Sequence, residues 1–250
     1  MIAKVYPPEV AWKQAKELHV YGLLADLGPV VPRVLETGED FTVFTMLAGG
    51  PLSEIDPPDR RATYVELGRL LAAVHRAGQP AYGYLTDEIL DPLPDNAQYM
   101  RRQFAAKLRE FEALDGEPAL HRAMHEYVET HGVLVDATTA PVLCHNDFHE
   151  GNVLADPATG RVTGFVDVEN AIAADPLMDL AKTQSYSIRD DAAKLDGLLE
   201  GYGELPPDWR ERTTLYRLYH ALELWDWFAS IGMTTHLDGL ARDMAGIVES

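Results

Sequence analysis

The stretch CHNDFHEGN, residues 144–152, gathers histidines, carboxyls and amides directly after an apolar run. Two strand-like segments, 153–155 and 162–166, follow it and flank a turn at 156–160 that contains Pro and Gly. Apolar segments on either side of such a turn predict a β-hairpin. A polar loop at the start of a hairpin strongly constrains the fold, because the hairpin returns the chain to that loop.

At the open end of this hairpin, the residues just before the first strand and just after the second have side chains whose oxygens can bind a metal. Because the chain returns past its own start, we expect Asn152 and Asp167 to lie near each other, with Asp147 in the same corner. Amide and carboxylate oxygens suit Mg²⁺, and a carboxylate can align the hydroxyl that accepts a phosphoryl group. His145, Asp147 and Asn152 also have the H-x-D-x-x-x-x-N spacing of the protein-kinase catalytic loop. The corner therefore predicts phosphoryl transfer.

The first fifty residues predict a small sheet with one helix. The expected segments are a strand at 2–6, a helix at 9–27 and a hairpin formed by 34–37 and 41–47. After a turn-rich hinge at 48–52, apolar residues recur at helical spacing almost everywhere except around the polar loop. We therefore expect an α+β fold with a reduced β-sheet lobe at 1–47 and a mainly helical lobe at 53–250.

The chain is strongly acidic, with 40 Asp and Glu against 21 Lys and Arg and a net charge of −19. This balance argues against a nucleic-acid partner, because binding to phosphates requires clustered cations. It tilts only weakly toward a cationic ligand, because solubility is the favoured explanation for most of these carboxylates.

Cysteine content and hydropathy bear on the cellular compartment. The single cysteine, Cys144, excludes an internal disulfide, and no apolar segment has the length of a signal peptide core or a membrane span. We expect a cytoplasmic protein with no membrane partner. The sequence leaves the oligomeric state open.

Two pairs of carboxyls outside the polar loop are expected to serve structure. Asp175 and Asp179 can cap and start the helix that follows them. Glu223 and Asp226 share a helix face with aromatic residues, which could form an acidic wall for a cationic substrate. Packing of those aromatic residues in the core is the favoured interpretation.

The polar loop and the two segments that follow it resemble motifs of the aminoglycoside phosphotransferase and choline kinase superfamily, whose members are relatives of the protein kinases. HNDFHEGN is similar to the catalytic loop of that family, FVDVEN at 165–170 to its metal-binding segment, and DPLMDLA at 175–181 to the helix start that follows. The resemblance implies a protein-kinase-like fold of two lobes. It also implies that Asp147 is the catalytic residue and that Asn152 and Asp167 hold Mg²⁺, with ATP or GTP as phosphate donor.

The resemblance extends to the first fifty residues. Lys4 stands where the family has its phosphate-binding lysine, and Glu17 stands where it has the helix partner of that lysine. The segment 44–47 is similar to the linker whose backbone meets the base, which implies Thr45 and Leu47 as cofactor-binding residues. Only three residues precede Lys4, where the family has two further strands and a phosphate-covering loop. We expect either a natural start farther upstream or a reduced small lobe.

The predicted function is transfer of the γ-phosphate of ATP or GTP to a hydroxyl of a small cationic molecule, such as an aminoglycoside or a related antibiotic. Choline-like or amino-sugar metabolites are alternative acceptors. A second alternative is a metal-dependent hydrolase, with a zinc site built from His145, Asp147, His149 and Asp167. A third is a nucleotide-binding protein that has lost catalysis. Whether His149 and Glu150 contact the substrate is left open.

Overall fold

The computed structural model describes residues 1–136 and 140–249. Its internal contacts divide the chain into two units. The first comprises Met1–Pro92 and Ala140–Leu205, and the second comprises Leu93–Thr139 and Pro206–Ser250. All the predicted site residues lie in the first unit.

The described residues form ten short strands in three sheets. In chain order the strands are β1 (Ile2–Val5), β2 (Val34–Thr37), β3 (Phe41–Phe44), β4 (Gly50–Pro51), β5 (Tyr82–Leu85), β6 (Ile89–Leu93), β7 (Val142–Cys144), β8 (Val153–Ala155), β9 (Val162–Phe165) and β10 (Ile172–Ala174). The strand orders are β1-β3-β2, β4-β8-β9 and β6-β5-β10-β7. Both predicted hairpins are confirmed, because β2 pairs antiparallel with β3 and β8 pairs antiparallel with β9.

One prediction about the strands is wrong. The sequence predicted a single β island after the hinge, whereas β5, β6 and β10 add a further sheet. β10 lies between β5 and β7, with Ile172 opposite both Tyr84 and Cys144. Strands of three or four residues give too short an alternating pattern to be read, and they are stabilised by pairing with distant segments.

Eight helices complete the fold of the described residues. They are α1 (Trp12–Leu23), α2 (Arg60–Val74), α3 (Asn96–Ala113), α4 (Pro118–His131), α5 (Leu177–Thr183), α6 (Ala192–Tyr202), α7 (Trp209–Ser230) and α8 (Leu237–Val248). Among them, none is both long and apolar enough to cross a membrane. α1 is shorter than the predicted 9–27, because a separate short turn at Pro8–Val10 precedes it and Leu24 leaves the helical conformation.

α2 and α6 pack closely in the first unit. Asp59 caps α2 by accepting a hydrogen bond from the Ala62 N–H at 2.9 Å. A Cβ atom on Gly68 would lie 2.2 Å from the main-chain oxygen of Leu198. The glycine therefore allows the two helix backbones to touch.

The second unit is built mainly from α3, α4, α7 and α8. Phe111 contacts Trp225 with ring centroids 4.3 Å apart, and Phe104 contacts Tyr219 at 5.6 Å. The aromatic face of α7 is therefore core, as the sequence predicts, while Trp227 is exposed.

The lobe boundary predicted at 48–52 falls inside the first unit. The contacts thus group the β-rich first fifty residues with the hairpin that carries the polar loop. The division into lobes at 1–47 and 53–250 stays a prediction.

Candidate active site

The polar loop begins where β7 ends, and its first turn is held by a buried carboxylate. Asp179, on α5, accepts hydrogen bonds from the main-chain N–H of His145 at 2.7 Å and of Asn146 at 2.6 Å. His75, just after α2, places Nε2 3.0 Å from the same carboxylate. Burial raises the pKa of Asp179, but His75 and the loop amides outweigh burial and hold the pKa below that of an ordinary carboxyl. The ionised carboxylate fixes a turn in which Asn146 has a left-handed φ of 58°.

His145 has a structural position beneath the loop. Its ring lies against Phe148 and Phe165, and its Nε2 donates to the main-chain oxygen of Val166 at 3.0 Å. This bond ties the loop to the residue that follows β9. Burial lowers the pKa of His145, so the ring is neutral. Among the described residues, the clusters able to hold a metal include neither His145 nor His149, so the alternative zinc site is not assembled.

Asp147 lies in the middle of the loop with 23% of its side chain exposed. The Asn152 amide nitrogen donates to one Asp147 carboxylate oxygen at 3.0 Å and to its main-chain oxygen at 2.9 Å. The other carboxylate oxygen lies 3.6 Å from His149 Nε2 and 3.9 Å from Lys182 Nζ. Burial raises the pKa of Asp147, but His149 and Lys182 lower it to about 2. The carboxylate is therefore ionised and can accept a hydrogen bond from a hydroxyl.

β8 and β9 place Asn152 and Asp167 at the same end of their hairpin. The Val166 N–H donates to the Asn152 main-chain oxygen at 2.9 Å, one residue before Asp167. Asp167 has a left-handed φ of 66°, so the chain leaves the extended conformation of β9 at this residue. The amide nitrogen of Asn152 is used on Asp147, so the amide oxygen is the atom of this side chain that can act as a ligand. The hairpin thus offers one amide oxygen and one carboxylate at neighbouring positions.

Lys4, on β1, lies among three carboxylates. Its Nζ is 2.6 Å from Glu17, 3.2 Å from Glu169 and 3.6 Å from Asp167. The second carboxylate oxygen of Glu17 accepts a hydrogen bond from the Tyr6 hydroxyl. Burial lowers the pKa of Lys4, but Glu17 and the other carboxylates outweigh burial and raise the pKa above its ordinary value. Lys4 is therefore a charged and oriented ammonium.

A cavity of about 420 Å³ opens beside this ammonium. Its lining includes five of the seven predicted site residues: Lys4, Glu17, Thr45, Leu47 and Asp167. The other two, Asp147 and Asn152, are outside this lining and are hydrogen bonded to each other. The Asn152 main-chain oxygen accepts a hydrogen bond from the N–H of Val166, which does line the cavity. The main-chain N–H of Thr45 donates to the Arg33 main-chain oxygen at 2.9 Å, so this N–H is already used within the fold.

The donor chemistry around the cavity bears on where a divalent cation fits. Glu17, Asp167 and Glu169 have ligand atoms within 4.8 Å of one another. The Lys4 ammonium contacts all three, so a positive charge already lies at the centre of that group. Asn152 and Asp167 offer hard oxygens of the kind that suit Mg²⁺, and Asp167 also lines the cavity.

A second cluster, formed by His75, Cys144 and Asp179, is fully buried. Asp179 is occupied by the loop amides, and Cys144 Sγ lies 3.4 Å from the Asp175 main-chain oxygen. Burial raises the pKa of the Cys144 thiol well above its ordinary value. This cluster is therefore structural.

Sequence reasoning missed three residues that the geometry brings to the site. Asp179 was expected only to start or cap a helix, whereas it anchors the loop. Asp175 accepts a hydrogen bond from the N–H of Leu177, the first residue of α5, at 2.9 Å. Glu169 binds Lys4, and its place two residues after Asp167 was a readable signal. Lys182 lies beside Asp147, and no local pattern marked it.

The sequence model of the phosphotransferase enzyme family called APH matches residues 1–215 of this chain. An aminoglycoside 3'-phosphotransferase of Streptomyces fradiae is 31% identical over 201 residues, which cover 76% of this chain and 72% of the relative. The enzyme of the same name from Streptomyces ribosidificus is 31% identical over 209 residues, which cover 78% and 75%.

Solved structures share the fold. A thermostable mutant of aminoglycoside phosphotransferase APH(4)-Ia, in a ternary complex with ADP and hygromycin B, matches with a TM-score of 0.72. The match covers 96% of this chain and 82% of that one at 16% identity, so this likeness concerns the fold. Together with the family match over most of its length, these similarities confirm the predicted fold class and show that the chain belongs to the APH phosphotransferase enzyme family and is a small-molecule kinase.

Proposed function

We propose that this kinase transfers the γ-phosphate of ATP or GTP to a hydroxyl of an aminoglycoside or a related cationic molecule. The observation that carries the proposal is the placement of ionised Asp147 beside the cavity that Lys4 and Asp167 line. The Asn152 side chain binds Asp147, and its main-chain oxygen accepts from Val166, the residue before Asp167. The names of the Streptomyces relatives support an aminoglycoside as the acceptor. The net charge of −19 supports a cationic acceptor.

The donor side of the site is the cavity between β1 and the 45–47 segment. Lys4, oriented by Glu17, binds the nucleotide phosphates, while the backbone of Thr45 and Leu47 meets the base. Asn152 and Asp167 would hold Mg²⁺, which would neutralise charge on the phosphates. Lys4 and the metal ligands therefore keep the phosphate chain in one place.

The acceptor side is Asp147. Its carboxylate accepts a hydrogen bond from the acceptor hydroxyl and directs an oxygen lone pair toward the γ-phosphorus. As the new O–P bond forms and the bond to the nucleotide β-phosphate oxygen breaks, the hydroxyl proton passes to Asp147. Asn152 keeps the carboxylate in this orientation through its amide N–H. Catalysis rests on positioning and charge, as in other phosphoryl transfers.

The experiment is a coupled ADP-release assay with Mg-ATP and with Mg-GTP over a panel of acceptors. The panel contains aminoglycosides, amino sugars, choline-type amines, macrolides and peptide antibiotics. We expect turnover with at least one aminoglycoside and none without Mg²⁺. ADP release that is the same with and without every acceptor would contradict the proposal.

A lysine pair supplies the matched control for the donor side. Lys4→Met removes the ammonium that lines the cavity, whereas Lys13→Met removes one that binds Glu169 at 2.8 Å from outside the cavity lining. We expect the KM for nucleotide to rise about tenfold or more in the first variant and less than about threefold in the second. Equal effects would remove Lys4 from the phosphate-binding role.

A further inference from the structure

The side chains around Asp147 differ in charge from the rest of this acidic chain. The Lys182 Nζ lies 3.9 Å from the Asp147 carboxylate, and only 10% of the Lys182 side chain is exposed. His149 Nε2 lies 3.6 Å from the same oxygen. The reacting carboxylate is thus bordered by a cation and an imidazole.

The helix that carries Lys182 widens directly after it. α5 continues into a turn of π-helix at Gln184–Ile188, a form that often occurs at functional sites. Tyr186, in this turn, lies four residues after Lys182, whose Nζ is 5.7 Å from the centre of the tyrosine ring. The same ring lies edge-on to His149, with centroids 6.3 Å apart. His149, Lys182 and Tyr186 therefore form a continuous surface beside Asp147, which we call the acceptor wall.

Lys182 places its ammonium beside the Asp147 carboxylate. Asp179 lies one turn earlier on α5, but its two oxygens are bonded to the His145 and Asn146 amides and to His75. The ammonium of Lys182 therefore contributes its charge at the reacting carboxylate.

An acceptor hydroxyl that binds Asp147 places its neighbouring carbon near the acceptor wall. A substituent on that carbon lies within a few ångströms of groups that contact the same carboxylate oxygen. A hydroxyl there finds an imidazole and an ammonium with which it can hydrogen bond. An ammonium there meets the like charge of Lys182 in a partly desolvated site, and its attraction to Asp147 is already met by Lys182.

We propose that Lys182 is a specificity-determining residue, which makes the acceptor wall accept a hydroxyl and reject an ammonium on the carbon next to the reacting hydroxyl. The proposal rests on the proposed function, because it concerns the acceptor of that reaction. The other ammonium groups of a polycationic acceptor bind away from the acceptor wall. Lys182 also positions Asp147 for proton transfer.

The test compares kanamycin A, which has a hydroxyl on the carbon next to the 3'-hydroxyl, with kanamycin B, which has an amino group on that carbon. The 3' position is the one in the names of the relatives. We expect wild type to favour kanamycin A by at least about threefold in kcat/KM. Lys182→Met should bring this ratio to about one and lower kcat for kanamycin A about tenfold. Its KM for nucleotide should stay within about twofold, because Lys182 is outside the cavity lining.

Two further variants separate charge from packing. Lys182→Arg keeps the positive charge and should keep the preference for kanamycin A. Lys194→Met is the matched control, because Lys194 Nζ lies 2.7 Å from Glu150 of the same loop and 5.4 Å from the centre of the Tyr64 ring. Its ratio should equal that of wild type.

An unchanged ratio in Lys182→Met, or an equal loss of the ratio in Lys194→Met, would overturn the role of Lys182. Wild-type turnover on neither kanamycin is a different result. It would overturn the proposed aminoglycoside acceptor, and this inference with it.

Discussion

The two units of the chain each bury an aspartate on a helix, and the two carboxyls are in opposite states. Asp179, in the first unit, is held ionised by two loop amides and His75. Asp226, on α7 in the second unit, is 3% exposed, and neither of its oxygens has a hydrogen-bond partner among the described residues. Burial and nearby Glu110 raise the pKa of Asp226 to about 8, although Lys107 Nζ lies 3.8 Å away. At neutral pH this carboxyl is mainly protonated.

The difference shows that burial does not by itself decide whether a carboxyl carries charge. Amide donors and a histidine keep Asp179 charged, and His149 with Lys182 does the same for partly buried Asp147. The first unit gathers these donors around the carboxyls of the proposed active site. Substitution by Asn, which keeps the shape and removes the charge, tests this contrast at all three positions.

The largest effect is expected for Asp147→Asn. The amide can accept a hydrogen bond from the acceptor hydroxyl, but it cannot take the proton, so turnover should fall at least about a hundredfold. Nucleotide affinity should stay within about threefold of wild type, because Asp147 is outside the cavity lining. Initial rates at saturating substrates and a nucleotide titration measure both. A variant with wild-type turnover would show that the charge at this position is not needed.

Asp179→Asn should have the largest effect on stability. An amide has one acceptor oxygen, whereas the carboxylate accepts from the His145 and Asn146 amides on separate oxygens. Loss of a buried, hydrogen-bonded charge should lower the free energy of unfolding by about 3 kcal/mol, as measured by urea denaturation. Turnover of the protein that remains folded should also fall, since the loop loses its anchor. Unaltered stability and turnover would make Asp179 equivalent to Asp226 and remove the contrast.

Asp226→Asn should have the smallest effect, and its sign depends on pH. Because the pKa of Asp226 is about 8 in the folded protein and ordinary in the unfolded chain, folding takes up a proton between about pH 4 and about pH 8. The contribution of this carboxyl to stability is full below that range and is lost as pH rises through about 8. The variant cannot titrate there, so its unfolding free energy should exceed that of wild type by about 1 kcal/mol or more at about pH 8.

The corresponding measurement is urea denaturation of both proteins at about pH 6 and about pH 8. We expect the advantage of Asp226→Asn to shrink or vanish at the lower pH. A difference that does not change with pH would mean that Asp226 is ionised in the folded protein, as Asp179 is.

Much of the candidate site could be predicted because its signals are local. His145, Asp147 and Asn152 lie within eight residues of sequence. The turn at 156–160 predicts the hairpin of β8 and β9, which returns the chain to Asp167. Polar residue types and turn chemistry are readable over such short spans. The paired strands β2 and β3 were readable for the same reason.

The parts that could not be predicted depend on contacts between distant segments. Asp179 reaches the loop across more than thirty residues, and Lys182 follows it on a helix whose described residues are all buried, so periodicity does not single out either side chain. β10 was missed because three residues of small and branched side chains become a strand only between β5 and β7. Local sequence carries the motif, while tertiary packing supplies the groups that hold it.

The burial of Cys144 has a practical consequence. It is the only cysteine in the sequence, its side chain is fully buried at the end of β7, and its thiol is held in the protonated form. Maleimide reagents should therefore leave the native protein unlabelled, so a cysteine introduced at an exposed residue would be modified alone. A cysteine in place of Trp227, or in place of Met46 in the cavity lining, both more than half exposed, would carry a dye at one chosen position without first removing any natural thiol.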